Sequence, residues 1–141
     1  MSQDSDSDLQ PSASSHLMKY HLEDGSVEDI TGSESLEDTS PAFAPRGDLL
    51  AFARKYLDIT NWTLGRQLWL MRADGSEARQ LTDAADYNHF DFAWEPGGTL
   101  LAFVRFNQTA PANLPEVWTV DIVSGLQTKW VDGGYSPHWI P

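Results

Sequence analysis

The chain writes one phrase three times. "SPAFAPRGDLLAFAR" begins at Ser40, "DFAWEPGGTLLAFVR" at Asp91, and "SPHWIP" at Ser136 restarts the phrase. A second phrase alternates with it: "HLMKYHLEDGSVEDIT" (16–31), "QLWLMRADGSEARQLT" (67–82) and "EVWTVDIVSGLQTKWV" (116–131). A period of roughly 50 residues is the signature of a repeat architecture, in which each unit buries its apolar faces against its neighbours and not within itself.

Each repeat divides into four short strands. The first, "PAFA" or "FAWE", is short and ends at a proline or just before one. The second, "DLLAFAR" or "TLLAFVR", is apolar on both faces: Leu50 and Phe52 point one way, and Leu49, Ala51 and Ala53 the other. Such a strand must be covered on both sides. The third, "QLWLMR" or "EVWTVDI", is again apolar and aromatic, and the fourth, "ARQLT" or "LQTKWV", is polar enough for an outer edge. The links agree, since "PRGD", "PGGT", "EDGS" and "ADGS" supply the proline and glycine that tight reversals require. Residues 32–39, "GSESLEDT", read as a polar loop, and residues 1–15 as a disordered acidic tail. The fold class is all-β.

Charge narrows the partners. Residues 1–39 hold ten acids and one base, and residues 40–141 hold eleven acids and eight bases, so most of the net charge of −12 sits in the first segment. With no basic stripe, nucleic-acid backbone binding is excluded as an expectation, and an anionic membrane surface would repel the chain. No apolar run approaches the length of a membrane span. "MSQDSDSDLQPSASS" lacks the apolar core of a secretory signal, which leaves the compartment open between the cytoplasm and a processed, exported form. The absence of cysteine excludes a disulfide framework, a thiolate metal site and a cysteine nucleophile.

Four-stranded antiparallel units, apolar on both faces, are the blades of a β-propeller. A plain sandwich would need a polar outward face on each strand, which the second strands lack. The stretch "SPAFAPRGDLLAFAR…QLWLMRADGSEARQLT" resembles the PD40 (WD40-like) repeat of TolB-type propellers over residues 16–141. The usual Asp-Gly after the proline is replaced by Arg46-Gly47 and Gly97-Gly98, which keep the turn. The resemblance implies a propeller whose relatives mostly bind other proteins or sit beside a hydrolase domain.

In blade order, residues 16–31 supply the last two strands of one blade. Residues 40–82 and 91–131 make two full blades, and residues 136–141 the first strand of another. That is about half of a six-bladed ring, and an open arc exposes two apolar blade faces. Completion of the ring by homo-oligomerisation or by another chain is therefore expected, with a protein as the partner.

The longer loops, 55–66, 83–89, 107–115 and 132–135, fall on one face, where binding residues usually lie. On it Tyr56, Trp62, Tyr87, Asn88, His89 and Tyr135 are the candidate partner-binding residues. The competing reading folds Trp62 and Tyr87 down onto their own blades. Arg54 and Arg105 end the second strand of two blades, either as cations at the channel mouth or paired with nearby acids. Asp83, Asp86 and Asp91 lack the spacing of an EF-hand loop, and the four histidines match no zinc spacing, so no metal or other cofactor is expected. "NWT" at Asn61 and "NQT" at Asn107 are formal glycosylation sequons in the same type of loop. No nucleophile elbow, phosphate loop or dinucleotide fingerprint occurs, and no catalytic residue is expected.

Overall fold

The structure, a computed structural model, describes residues 14–32 and 35–140. Among them ten strands form three antiparallel sheets. β1 (Met18–Tyr20) and β2 (Val27–Asp29) make a hairpin. β3 (Leu36–Phe43), β4 (Leu49–Tyr56), β5 (Gln67–Arg72) and β6 (Arg79–Gln80) form one four-stranded blade in chain order. β7 (Tyr87–Trp94), β8 (Leu100–Asn107), β9 (Glu116–Asp121) and β10 (Gln127–Asp132) form the next.

The two-faced second strand does what its pattern requires. One face of β4 carries Leu50 and Phe52 into a core with Leu17, Ile30 and Met71, which joins the hairpin to the first blade. The opposite face carries Ala51 into a second core with Leu68 and Leu70, where it meets Leu101, Phe103 and Val120 of the next blade. Phe52 and Phe103 are fully buried. Phe52 and Phe103, at the same position of the two phrases, are thus packed between consecutive sheets.

Glycine and aspartate set the reversals. Gly47 and Gly98 lie at positive φ in the β3–β4 and β7–β8 turns, a backbone conformation that residues with a side chain rarely adopt. Asp74 Oδ1 accepts hydrogen bonds from both the amide and the hydroxyl of Ser76, and Asp24 does the same for Ser26, so each Asp-Gly-Ser closes its own hairpin.

A third repeated feature is conformational. Ser40, Asp91 and Ser136 all adopt positive φ, at the same position of the three phrases. At the first two, the pairing with the neighbouring strand skips, between Thr39 and Ala42 and between Phe90 and Ala93. The innermost strand therefore bends at a bulge.

Three expectations change. Residues 36–39 are not loop but the first half of β3, with Leu36 and Asp38 buried. The acidic side chains disguised the strand, and Asp38 is tolerated inside because an arginine neutralises it. The blades accordingly begin at Leu36 and Tyr87. Residues 1–13 of the expected tail lie outside the described residues, but Ser15 bridges to Glu37 and donates from Oγ to the Asp38 carbonyl. Residues 136–140 form no strand, since no strand lies beside them to make a ladder, and Pro141 lies outside the described residues. They are nonetheless seated: Trp139 Nε1 donates to the Ala93 carbonyl at 2.8 Å, as Trp94 Nε1 donates to the Ala42 carbonyl at 2.9 Å. The segment docks on β7 as β7 docks on β3.

Candidate functional site

Two arginines lie near the ends of the second strands, Arg54 buried and Arg105 half-buried, and each is matched differently. Arg54 Nε and Nη2 contact the two carboxylate oxygens of Asp38 at 2.8 and 2.9 Å, directly across from it on β3. Thr31 Oγ1 donates to the same carboxylate, so the pair also ties the hairpin to the first blade. The guanidinium lies over the Phe52 and Trp69 rings, each 4.9 Å away.

In the second blade the position of Asp38 is taken by His89, which pairs across from Arg105 on β8. The carboxylate moves to the other neighbour: Glu116 on β9 accepts from Arg105 Nε at 2.8 Å, and from Trp118 Nε1 at 2.8 Å. Burial works to raise the Glu116 carboxyl, but these two hydrogen bonds and the nearby cations outweigh it and hold it below the usual range. Arg105 lies 3.9 Å from the Tyr87 ring centre and 4.3 Å from that of Trp118. Neither arginine is a free channel-mouth cation: each is neutralised in place and held between aromatic rings, because a buried unpaired charge would be costly.

The expected partner-binding residues separate into three groups. Trp62 is 50% exposed, with Lys55 Nζ 4.5 Å from its ring centre, and Tyr135 is 66% exposed. These two are presented to solvent. Tyr56, Tyr87 and Asn88 are half-buried and bound up in the blades. Tyr56 meets Trp69 edge-on, Tyr87 supports Arg105, and Asn88 Oδ1 accepts the Arg66 amide hydrogen bond. Tyr56 and Arg54 share a small cleft of about 160 Å³ with Asn61, Thr63 and Asp83.

His89 corrects the expectation. It lies on β7, not in a loop, and is 1% exposed. Nδ1 is 2.8 Å from the Arg66 carbonyl, which makes it the protonated nitrogen of a neutral ring, and Nε2 has no hydrogen-bond partner among the described residues. Burial is the main cause that drives its pKa down to about 4, with Arg105 pushing in the same direction. Residues 83–89 read as one loop because they are polar; the 51-residue offset aligns His89 with Asp38, and the structure places both in strands.

That same offset aligns Thr31 with Thr82, two residues that composition alone does not single out. Each accepts the amide hydrogen bond of a third-strand leucine, Leu17 at 2.8 Å and Leu68 at 3.0 Å. The closing threonine of each phrase thus latches the fourth strand onto the third. Asp83, Asp86 and Asp91 are not gathered, and among the described residues no three His, Asp or Glu side chains come together as a metal site would require.

The arc ends in two apolar grooves. One, of about 430 Å³, runs beside β1 and is walled by Leu17, Ile30, Pro41, Phe43 and Leu50. The other, of about 460 Å³, lies against the last blade and is walled by Leu100, Ala102, Val117, Trp130 and Trp139.

No protein-family model matches the chain, and no curated protein does. Solved structures do. A TolB-like protein of Agrobacterium tumefaciens superposes at a TM-score of 0.67 with 20% identity, over 83% of this chain and 41% of that one. The fold is that of a TolB-like β-propeller. A nidogen–laminin complex contains a similar propeller, with a TM-score of 0.63 and 16% identity over 83% of this chain and 40% of that one. Dipeptidyl peptidase 4 of Porphyromonas gingivalis matches at a TM-score of 0.59 and 11% identity, over 82% of this chain and 21% of that one. The propeller arc described here spans less than half the length of each of these chains.

Proposed function

We propose that the chain is a non-catalytic propeller module for protein–protein interaction, its ring completed by association with other strands. The observation that carries this is the pair of apolar grooves at the two ends of the arc, lined by residues at the positions that form the core between its blades. Apolar surface of this kind marks a protein contact. The exposed Trp62 and Tyr135 offer a recognition surface on the long-loop face. The chemistry of the remaining candidates supports the reading: His89 is out of reach of a substrate, and both second-strand arginines are held by carboxylates.

Light scattering on the purified chain, alone and with proteins recovered from its source, is the test. A mass above that of one chain is the expected result. A single-chain mass under all conditions, with cooperative unfolding, would sink the reading.

The likeness to a dipeptidyl peptidase favours a second reading, in which the arc is the propeller portion of a prolyl-oligopeptidase-like hydrolase and catalysis resides elsewhere. Labelling of the native complex with a serine-reactive fluorophosphonate separates the two, since only the hydrolase context supplies a reactive serine. A third reading, a structural subunit whose open blade faces are capped within a larger complex, would show as non-specific self-association of the isolated chain.

A further inference from the structure

The groove beside β1 has walls that occur once more in the molecule, and there they are filled. Moving Leu17, Ile30, Pro41, Phe43 and Leu50 forward by the 51-residue offset gives Leu68, Leu81, Phe92, Trp94 and Leu101. Those five belong to the core between the two full blades, and what they enclose is Leu49 and Ala51 of β4. The groove is therefore shaped for the second strand of a blade.

Its backbone agrees. Among the described residues β1 pairs with β2 alone. The Leu17 carbonyl accepts from Ile30 and the His21 amide donates to Ser26, so the odd-numbered residues face β2. Strand alternation then directs the amide and carbonyl groups of Met18 and Tyr20 to the open edge. In the full blades the equivalent residues face Leu50 and Phe52, in the register Leu50 to Met71 and Phe52 to Trp69.

We propose that β1 and its groove take up an extended strand from a partner chain, antiparallel to β1, with the pattern Leu-Leu-Ala-Phe-small-Arg shared by β4 and β8. This rests on the interaction reading above and specifies what completes the arc. The first leucine and the small side chains turn inward onto Phe43 and Leu50, as Leu49 and Ala51 turn onto Trp94 and Leu101. The large ones turn outward beside Met18 and Tyr20. A second copy of this chain is a poor donor, because β4 and β8 are each paired on both sides already.

The probe is a fluorescent peptide carrying residues 47–55 with added terminal lysines for solubility, titrated into the full chain. Saturable binding is expected, with the amides of Met18 and Tyr20 slowed in hydrogen exchange. N-methylation of the peptide at its Leu50 and Phe52 positions should weaken binding at least tenfold, because it removes the donors while keeping the apolar surface. Replacing its Ala51 by tryptophan should do the same by overfilling the groove. Absence of binding, protection only at the Ala102 face, or equal binding of the N-methylated peptide overturns the proposal. If the chain also stays a monomer with every candidate partner, the interaction reading falls with it. If it self-associates or takes the peptide at the Ala102 face, only the strand proposal falls.

Discussion

Asp38 shows how one residue can be read correctly by type and wrongly by place. An acid in a Ser/Glu-rich stretch is ordinarily solvent-exposed, yet here it is sealed against Arg54 at 2.8 Å. Removing one partner of a buried pair strands the other charge, so Asp38→Asn should cost about 3–5 kcal/mol, read as a lower urea midpoint. Asp38→Asn combined with Arg54→Met should recover much of that loss; a double variant no better than the single one would mean the charge is not the issue. His89 makes the second residue-scale prediction. Its folded pKa of about 4 lies below the ordinary 6.5, so the unfolded chain binds the extra proton between those values. The contribution is fully present above pH 6.5 and is lost as pH falls toward 4, by up to roughly 3 kcal/mol at about 1.4 kcal/mol per pH unit. Urea midpoints of the wild type should fall over that window more steeply than those of His89→Asn. Parallel curves would place the acid sensitivity elsewhere.

At the scale of the element, the blade is an alternation of commitments. β4 and β8 are buried on both faces, while β6 and β10 are exposed edges. Truncating Phe103 at the centre of the inter-blade core should cost about 3–5 kcal/mol, whereas Trp62→Ala should leave thermal unfolding unchanged. A loss under about 1 kcal/mol for Phe103→Ala would contradict the blade packing, and unfolding of Trp62→Ala would contradict the surface placement. The long loops are less independent than their length suggests. Loop 57–66 is stitched to the start of the next blade through Gly65, where an added Cβ would clash with the Tyr87 carbonyl, and through Arg66, whose carbonyl holds His89. This loop is part of the joint between blades as well as of the exposed face.

For the whole molecule, the described arc packs its blades against one another and leaves an apolar groove at each end. An apolar-site dye such as anilinonaphthalene sulfonate should fluoresce with the native chain at neutral pH, and the strand peptide should suppress that signal in proportion to its binding. A native chain that leaves the dye dark would show that the end grooves are covered by the chain itself. The β1 groove and the one against Trp139 are complementary halves of one problem: each presents the side of a blade core that the other end lacks.

The repeated phrase, by itself, determined the all-β class, the four-strand blade, its turns and the two-faced second strand. It could do so because periodicity and turn chemistry are local properties. The repeat also aligned Arg54 with Arg105, 51 residues apart, and Trp69 with Trp118, 49 residues apart. Only the tertiary structure decided that Leu36–Thr39 is strand, that His89 is buried, and that Arg54 finds its acid on β3 while Arg105 finds its acid on β9. Those outcomes depend on which side chain lies across a ladder or behind a neighbouring blade. Burial and charge pairing are settled by neighbours distant in sequence, and polar residues read one at a time do not announce them.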